Sequence, residues 1–81
     1  MIENMLKTMT AEVFCLAIEY FREEDGRWLA DIAVLPGVTA YGRTKKQATA
    51  AVQALALRRI ADRLKHAEAL PRPMNLTFIA A

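Results

Sequence analysis

The chain of 81 residues is poor in the side chains that most often build active sites, with one cysteine, one histidine and one tryptophan. A single cysteine, Cys15, excludes an internal disulfide and indicates a reducing compartment. One histidine and one cysteine are also too few for the usual ligand spacings of a zinc site. We therefore expect neither a metal site nor a cofactor.

Long apolar runs are missing as well. No stretch approaches the roughly 18 apolar residues of a membrane span. Residues 1–11, which we expect to be a flexible tail, contain no apolar segment of signal-peptide length. The expected location is therefore the cytoplasm, with no membrane partner. The net charge of +2 combines 11 basic with 9 acidic residues, which is a weak electrostatic signature for nucleic-acid binding.

Apolar surface, in contrast, is abundant for so short a chain. Hydrophobic residues make up 54% of the sequence, while a domain of this length buries only roughly 60 to 65% of its unfolded surface. The length fits a single domain, residues 12–81. Surplus apolar surface on a small domain indicates self-association, and we expect a homodimer or a higher homo-oligomer.

Four segments have strand patterns and one has a helical pattern. Residues 12–22 predict a central strand, because both faces are mainly apolar and something should cover each. Strands are also predicted for 27–35, 38–41 and 74–79, and a helix rich in alanine and leucine for 45–67. The long helix lets the last strand return parallel to the first through a right-handed crossover. The expected fold is α+β: a three-stranded antiparallel meander, one helix and a fourth strand, in the sheet order 3-2-1-4.

Two apolar patches lie on different sides of the predicted helix. The patch in its second half is assigned to the sheet, and it comprises Leu57, Ile60, Ala61 and Leu64. The patch in its first half, together with the short edge strand, remains as a candidate surface for a partner or a second copy. The residues of this candidate surface are Thr39, Tyr41, Ala51, Val52 and Leu55.

Turn signals are concentrated in the middle of the chain. Leu35-Pro36-Gly37-Val38 predicts a type II turn, because proline fixes a negative φ and glycine permits a positive one. Gly26 belongs to a hairpin loop, and Gly42 ends the third strand. Thr44 then predicts a capping box, in which its hydroxyl accepts from the Gln47 backbone amide while the Gln47 side chain reaches back.

These residues resemble the HicB-like antitoxins, in which a Gly-aromatic-x-Ala-x-hydrophobic strand, a Leu-Pro-Gly turn and a Gly-x-Thr-x-x-Glu-Ala helix start follow one another. The matching residues are Gly26, Trp28, Ala30, Ile32, Leu35, Pro36, Gly37, Gly42, Thr44 and Ala48. The chain departs from the family pattern at Ala33, where a proline is usual, and at Gln47, where a glutamate is usual. The resemblance extends from about residue 13 to the end of the chain.

The resemblance implies a truncated ribonuclease H-like fold and a type II antitoxin. Such a protein binds a small HicA-like toxin, which cleaves messenger RNA, and blocks its active surface. Full HicB proteins commonly add a C-terminal DNA-binding segment. Because this sequence ends at Ala81, directly after the last predicted strand, we expect no such segment and no direct DNA binding.

Catalysis has little support in the residues themselves. Metal-dependent phosphoryl transfer needs several converging carboxylates, and the strands offer only Glu19 and Asp31, which can equally pair with Arg27 or face solvent. Cys15 lies mid-strand among apolar neighbours, where a buried thiol is usually inert. His66 falls in the last helical turn. We expect no catalytic site and no enzyme.

Two other functions stay open beside the antitoxin. One is an orphan HicB-like scaffold that self-associates or binds a small ligand without a toxin. The other is a weak nucleic-acid-binding protein that uses the basic end of the helix, residues 58–65.

Overall fold

The fold was analysed in a computed structural model that describes residues 12–66 and 74–81; the expected tail, 1–11, lies outside them. The elements are β1 (Glu12–Arg22), β2 (Trp28–Asp31), β3 (Thr39–Gly42), α1 (Lys45–Lys65) and β4 (Met74–Ala80). The strands form one sheet in the order β3-β2-β1-β4. β1–β2 and β2–β3 are antiparallel, and β1–β4 is parallel. The predicted α+β fold and its strand order are confirmed.

The central strand β1 is shared between two ladders in succession. Its residues 12–18 lie beside β4, and its residues 19–22 lie beside β2. The sheet is therefore stepped, with β2 and β3 displaced along β1 relative to β4.

The core lies between α1 and one face of the sheet. The helix contributes buried residues at every fourth position: Ala48, Val52, Ala56 and Ile60. The strands and turns contribute Leu16, Ile18, Ala30, Ile32, Leu35 and Val38. α1 packs mainly over β3 and β2, so the β1–β4 side of the sheet is less covered.

The prediction that the stripe Leu57, Ile60, Ala61 and Leu64 packs against the sheet is wrong. Leu57 and Leu64 are 47% and 38% exposed, and only Ile60 of that stripe is buried. Val52, which was assigned to the other patch, is fully buried, and so is Ala48. The reason is that small side chains mark the line of closest approach between helix and sheet, whereas the larger leucines dominated the sequence pattern.

β2 is shorter than its pattern predicts, because a turn begins at Ile32. The Ile32 amide donates to the Val38 carbonyl, and the Leu35 amide donates to the Ile32 carbonyl, each at 3.0 Å. A strand that continued to residue 35 would place Val34 on the same face as buried Ile32. Because the chain turns instead, Leu35 is buried and Val34 is 66% exposed. The Val38 amide then donates to the Leu35 carbonyl at 3.0 Å, and Gly37 has φ +83°, as the predicted type II turn requires.

The start of α1 is capped almost as predicted. The Gln47 amide donates to Thr44 Oγ1 at 3.1 Å. Gln47 Oε1 accepts from the Arg43 amide at 3.0 Å, one residue before the amide used in a standard capping box. Gln47 thus forms hydrogen bonds both to the N-cap residue, Thr44, and to the residue before it, Arg43.

Gly42 is required because β3 and α1 nearly touch. A Cβ atom at this position would lie 2.8 Å from the Gln47 carbonyl carbon and 2.9 Å from the Ala48 Cα. Both are backbone atoms, which cannot rotate away. The connection from β3 therefore folds α1 directly back onto the sheet.

Substituting Gly42→Ala should lower the free energy of unfolding by about 3 kcal/mol, because overpacking against backbone forces the helix off the sheet. Gly26→Ala is the matched control: φ is +88° there, but nothing lies within 4 Å of an added Cβ. The backbone conformation alone should cost the control about 1 kcal/mol. Urea unfolding followed by circular dichroism measures both, and equal losses would contradict the close contact.

Candidate partner-binding face

The sheet face opposite α1 is open within the described part of the chain. Its side chains come from alternate residues of each strand, on the side away from buried Leu16 and Ile18. We call this the open face, and it comprises Cys15, Ala17, Glu19, Phe21, Leu29, Asp31, Thr39, Tyr41, Asn75, Thr77 and Ile79. The expectation that both faces of β1 are covered therefore does not hold within the described part of one chain.

Half-exposed apolar side chains border an acidic pair on the open face. Phe21 and Tyr41 are each 48% exposed, and Ile79 is 45% exposed. Between them, Glu19 on β1 lies directly opposite Asp31 on β2. Like charges at directly opposed positions of a sheet are destabilising, so this arrangement has an energetic cost in the free protein.

Hydrogen bonding relieves only one member of the acidic pair. The Thr39 hydroxyl donates to Asp31 Oδ1 at 2.6 Å. Among residues 12–66 and 74–81, no hydrogen bond or ion pair holds the Glu19 carboxylate. Glu19 is thus an exposed charge with a second charge beside it.

Arg27, one of the two alternatives considered for this pair beside exposure to solvent, is engaged elsewhere. Its Nε donates to Asp25 Oδ2 at 2.6 Å, and its guanidinium carbon lies 4.4 Å from the centroid of the Tyr41 ring. The pKa of the Asp25 carboxyl lies below its usual value. The larger cause is the hydrogen bond from the Arg27 backbone amide, and the next is the hydrogen bond from the Arg27 guanidinium. The hairpin therefore neutralises its own aspartate, and no cation from residues 12–66 or 74–81 pairs with Glu19 or Asp31.

Cations also cover aromatic rings at the end of the sheet near the start of α1. Lys45 Nζ lies 4.5 Å from the Tyr20 ring centroid, and the Arg22 guanidinium carbon lies 5.1 Å from that of Trp28. Thr49 Oγ1 donates to the Lys45 carbonyl at 2.8 Å. The Tyr20 hydroxyl can then donate to Thr49 Oγ1, 2.6 Å away. Tyr20 and Trp28 are partly buried against the core, so these rings pack within the protein.

The structure divides the predicted partner surface between two sides of the sheet. Thr39 and Tyr41 lie on the open face, beside Asp31 and Leu29. Ala51 is exposed on α1, Leu55 is half-buried against the core and Val52 is fully buried. The assignment of Val52 to a contact surface was wrong, because this residue lies on the line where α1 meets the sheet.

Cys15 is exposed on the open face, whereas its apolar neighbours predicted a buried thiol. The reason is that α1 covers the alternate residues of β1. His66 forms the C-cap of α1, where its amide donates to the Asp62 carbonyl at 2.9 Å. No three His, Cys, Asp or Glu residues in the described ranges are grouped to hold a metal ion. Nor is any helix in those ranges long and apolar enough to cross a membrane.

The sequence motif and the open face occupy different parts of the fold. Gly26 and Gly37 have positive φ angles, Thr44 caps α1 and Leu35 lies in the core, so these motif residues serve the architecture. Comparisons of the chain with models of protein families, with curated proteins and with solved structures find no match. Function must therefore be argued from the open face.

Neutralising Glu19 should stabilise the isolated protein. Replacing Glu19→Gln removes the repulsion from Asp31 and should raise the free energy of unfolding by about 0.2–1 kcal/mol. Glu24→Gln, at the hairpin, is the control and should change little. At 1 M salt the Debye length falls to about 3 Å, so the gain should shrink. An equal increase in the free energy of unfolding for Glu24→Gln, or no increase for Glu19→Gln at low salt, would contradict a repulsion between Glu19 and Asp31.

Proposed function

We propose that this protein is a HicB-like type II antitoxin domain, which binds a small, basic HicA-like toxin by protein–protein contact and neutralises it. The observation that carries the proposal is the Glu19–Asp31 pair, which no cation of the described residues neutralises, inside a border of half-exposed apolar side chains. The resemblance of the turn and cap residues to the family pattern supports it.

The acidic pair favours a partner with a basic side chain at its contact surface. An arginine can donate two parallel hydrogen bonds to a carboxylate, and it would remove the repulsion that the free protein carries. Phe21, Tyr41 and Ile79 would exclude water from around such a contact. Excluding water lowers the effective dielectric and strengthens the attraction between the charges.

Binding fits the open face better than catalysis does. In the described ranges the open face holds two carboxylates, whereas metal-dependent phosphoryl transfer uses several around its metal ions. Cys15 is exposed on the same face, but His66 lies at the end of α1, on the other side of the sheet. We therefore propose that the chain acts as an inhibitor and not as an enzyme.

The test begins with a tagged pull-down from the native host at moderate salt, followed by mass spectrometry. The expected companion is small, basic and stoichiometric, arrests growth when expressed alone and is neutralised by co-expression of this chain. Failure to recover a growth-arresting companion, with the protein returning only as its own oligomer, would contradict the proposal and favour the orphan scaffold.

Charge reversal on the open face then tests the contact itself. The double variant Glu19→Lys, Asp31→Lys should weaken companion binding at least tenfold, about 1.4 kcal/mol, and should abolish rescue of growth. Glu24→Lys changes a hairpin acid outside the open face and should leave both unchanged. Isothermal titration calorimetry gives the affinities, and unaltered binding by the double variant would exclude this face.

A further inference from the structure

We infer that the outer edge of β4 is a self-association surface, along which a second copy of this chain adds its own β4 in the antiparallel direction. The product is one continuous eight-stranded sheet. This inference goes beyond the proposed toxin contact and does not depend on it, because it rests on the backbone edge of β4 and not on the Glu19–Asp31 pair.

The sequence of β4, residues 74–80, lacks the features that normally protect an edge strand. β4 is the outermost strand of the sheet, and its seven residues, Met74–Ala80, include no charge, proline or glycine. Edge strands of monomeric proteins are usually short, charged or interrupted. The opposite edge, β3, fits that rule: it has four residues, and Arg27 lies over its Tyr41.

The outer edge of β4 presents backbone groups that a second strand would pair. The Ala81 amide donates inward to the Ile18 carbonyl at 2.8 Å. Because backbone groups of a strand alternate in direction, Thr77 and Ile79 also point towards β1, while Leu76 and Phe78 point their N–H and C=O groups outwards. No described segment pairs with this edge.

Apolar side chains are left uncovered on both sides of this edge. On β4, Met74, Leu76 and Ile79 are 39%, 38% and 45% exposed. On α1, Leu57 and Leu64 are exposed. Helical periodicity places them on the flank of Thr49, which faces β1 through its contact with Tyr20. Leu57 and Leu64 therefore lie on the flank of α1 that is turned towards the β1–β4 side of the sheet.

A second copy fits this edge better than a charged partner. β4 carries no charge, so two copies of β4 can approach each other without electrostatic repulsion. For the same reason, β4 offers no side chain that could form an ion pair with a charged partner. A two-fold axis perpendicular to the sheet would place both helices on the same side. The flanks of the two helices that carry Leu57 and Leu64 would then both be turned towards the axis.

The geometry also determines one register. Outward-pointing residues must pair with outward-pointing residues to exchange hydrogen bonds. The register that uses the whole of β4 places Leu76 opposite Phe78 of the second copy and Met74 opposite Ala80. Thr77 then lies opposite its own counterpart, on the two-fold axis.

A disulfide at the axis tests this register. Cys15 is first replaced, Cys15→Ser, because it lies directly beside Thr77 in the β1–β4 ladder. In that background, Thr77→Cys should form a covalent dimer under mild oxidation, since opposed residues of this type have Cα atoms about 4.5 Å apart, within the range for a disulfide. Asn75→Cys is the control on the same strand and face; its two copies would be about 13 Å apart and should remain mainly monomeric on non-reducing gels.

Analytical ultracentrifugation tests the association without a cross-link. The unmodified chain should be dimeric at micromolar concentration. Thr77→Lys, which is exposed on the open face of a single chain, should keep the circular dichroism spectrum and weaken the dimer at least tenfold, because two ammonium groups meet at the axis. An unmodified chain that stays monomeric, or equal cross-linking of the Thr77→Cys and Asn75→Cys proteins, would overturn the inference. So would a dimer that Thr77→Lys leaves intact.

Discussion

The close contact between the end of β3 and the start of α1 decides where the helix lies on the sheet. Gly42 presents no side chain there, and Ala48 and Ala56 present only methyl groups along the buried helical line. α1 is thereby held over β3 and β2. With a single helix in that position, one whole sheet face receives no cover from the described part of the chain, and the β4 side of the other face is only partly covered. Both candidate interaction surfaces follow from this one contact.

The energetics of the chain agree with that geometry. Burying a large apolar side chain completely is worth about 1.5–3 kcal/mol, and Phe21, Tyr41, Leu57, Leu76 and Ile79 realise only part of this value while they are 38–48% exposed. A domain of this size has little stability to spare. Any partner that covers these side chains therefore stabilises the fold as well, because binding to the native state alone shifts the unfolding equilibrium. The Glu19–Asp31 pair gives a second reason why a partner would stabilise the fold, since a cation from the partner would remove the repulsion between the two carboxylates.

The sequence was most informative where local chemistry decides the structure. The Pro36-Gly37 turn, the Thr44 cap and the parallel return of β4 were all predictable, because each depends on backbone preferences or on the length of one connection. Contacts between distant elements were harder to predict. The buried face of α1 was misassigned because alanine marks close approach without a strong hydrophobic signal, and Val52 was misplaced as a result. Cys15 was misplaced because both faces of β1 are mainly apolar, so the sequence does not show which of them α1 covers. Glu19 and Asp31 could be located on neighbouring strands, but their direct opposition and the engagement of Arg27 by Asp25 depend on the register of the hairpin.

The two proposed surfaces are compatible in one assembly. A two-fold axis perpendicular to the sheet keeps both helices on one side, so both open faces lie together on the other side. The dimer would then present two Glu19–Asp31 pairs on one continuous surface, with Thr77 at its centre and Asn75 and Ile79 on either side. Each half could take one basic partner, and two linked sites of this kind raise the apparent affinity for a partner that is itself paired or repeated. Self-association through the uncharged edge would thus leave both Glu19–Asp31 pairs accessible to a partner.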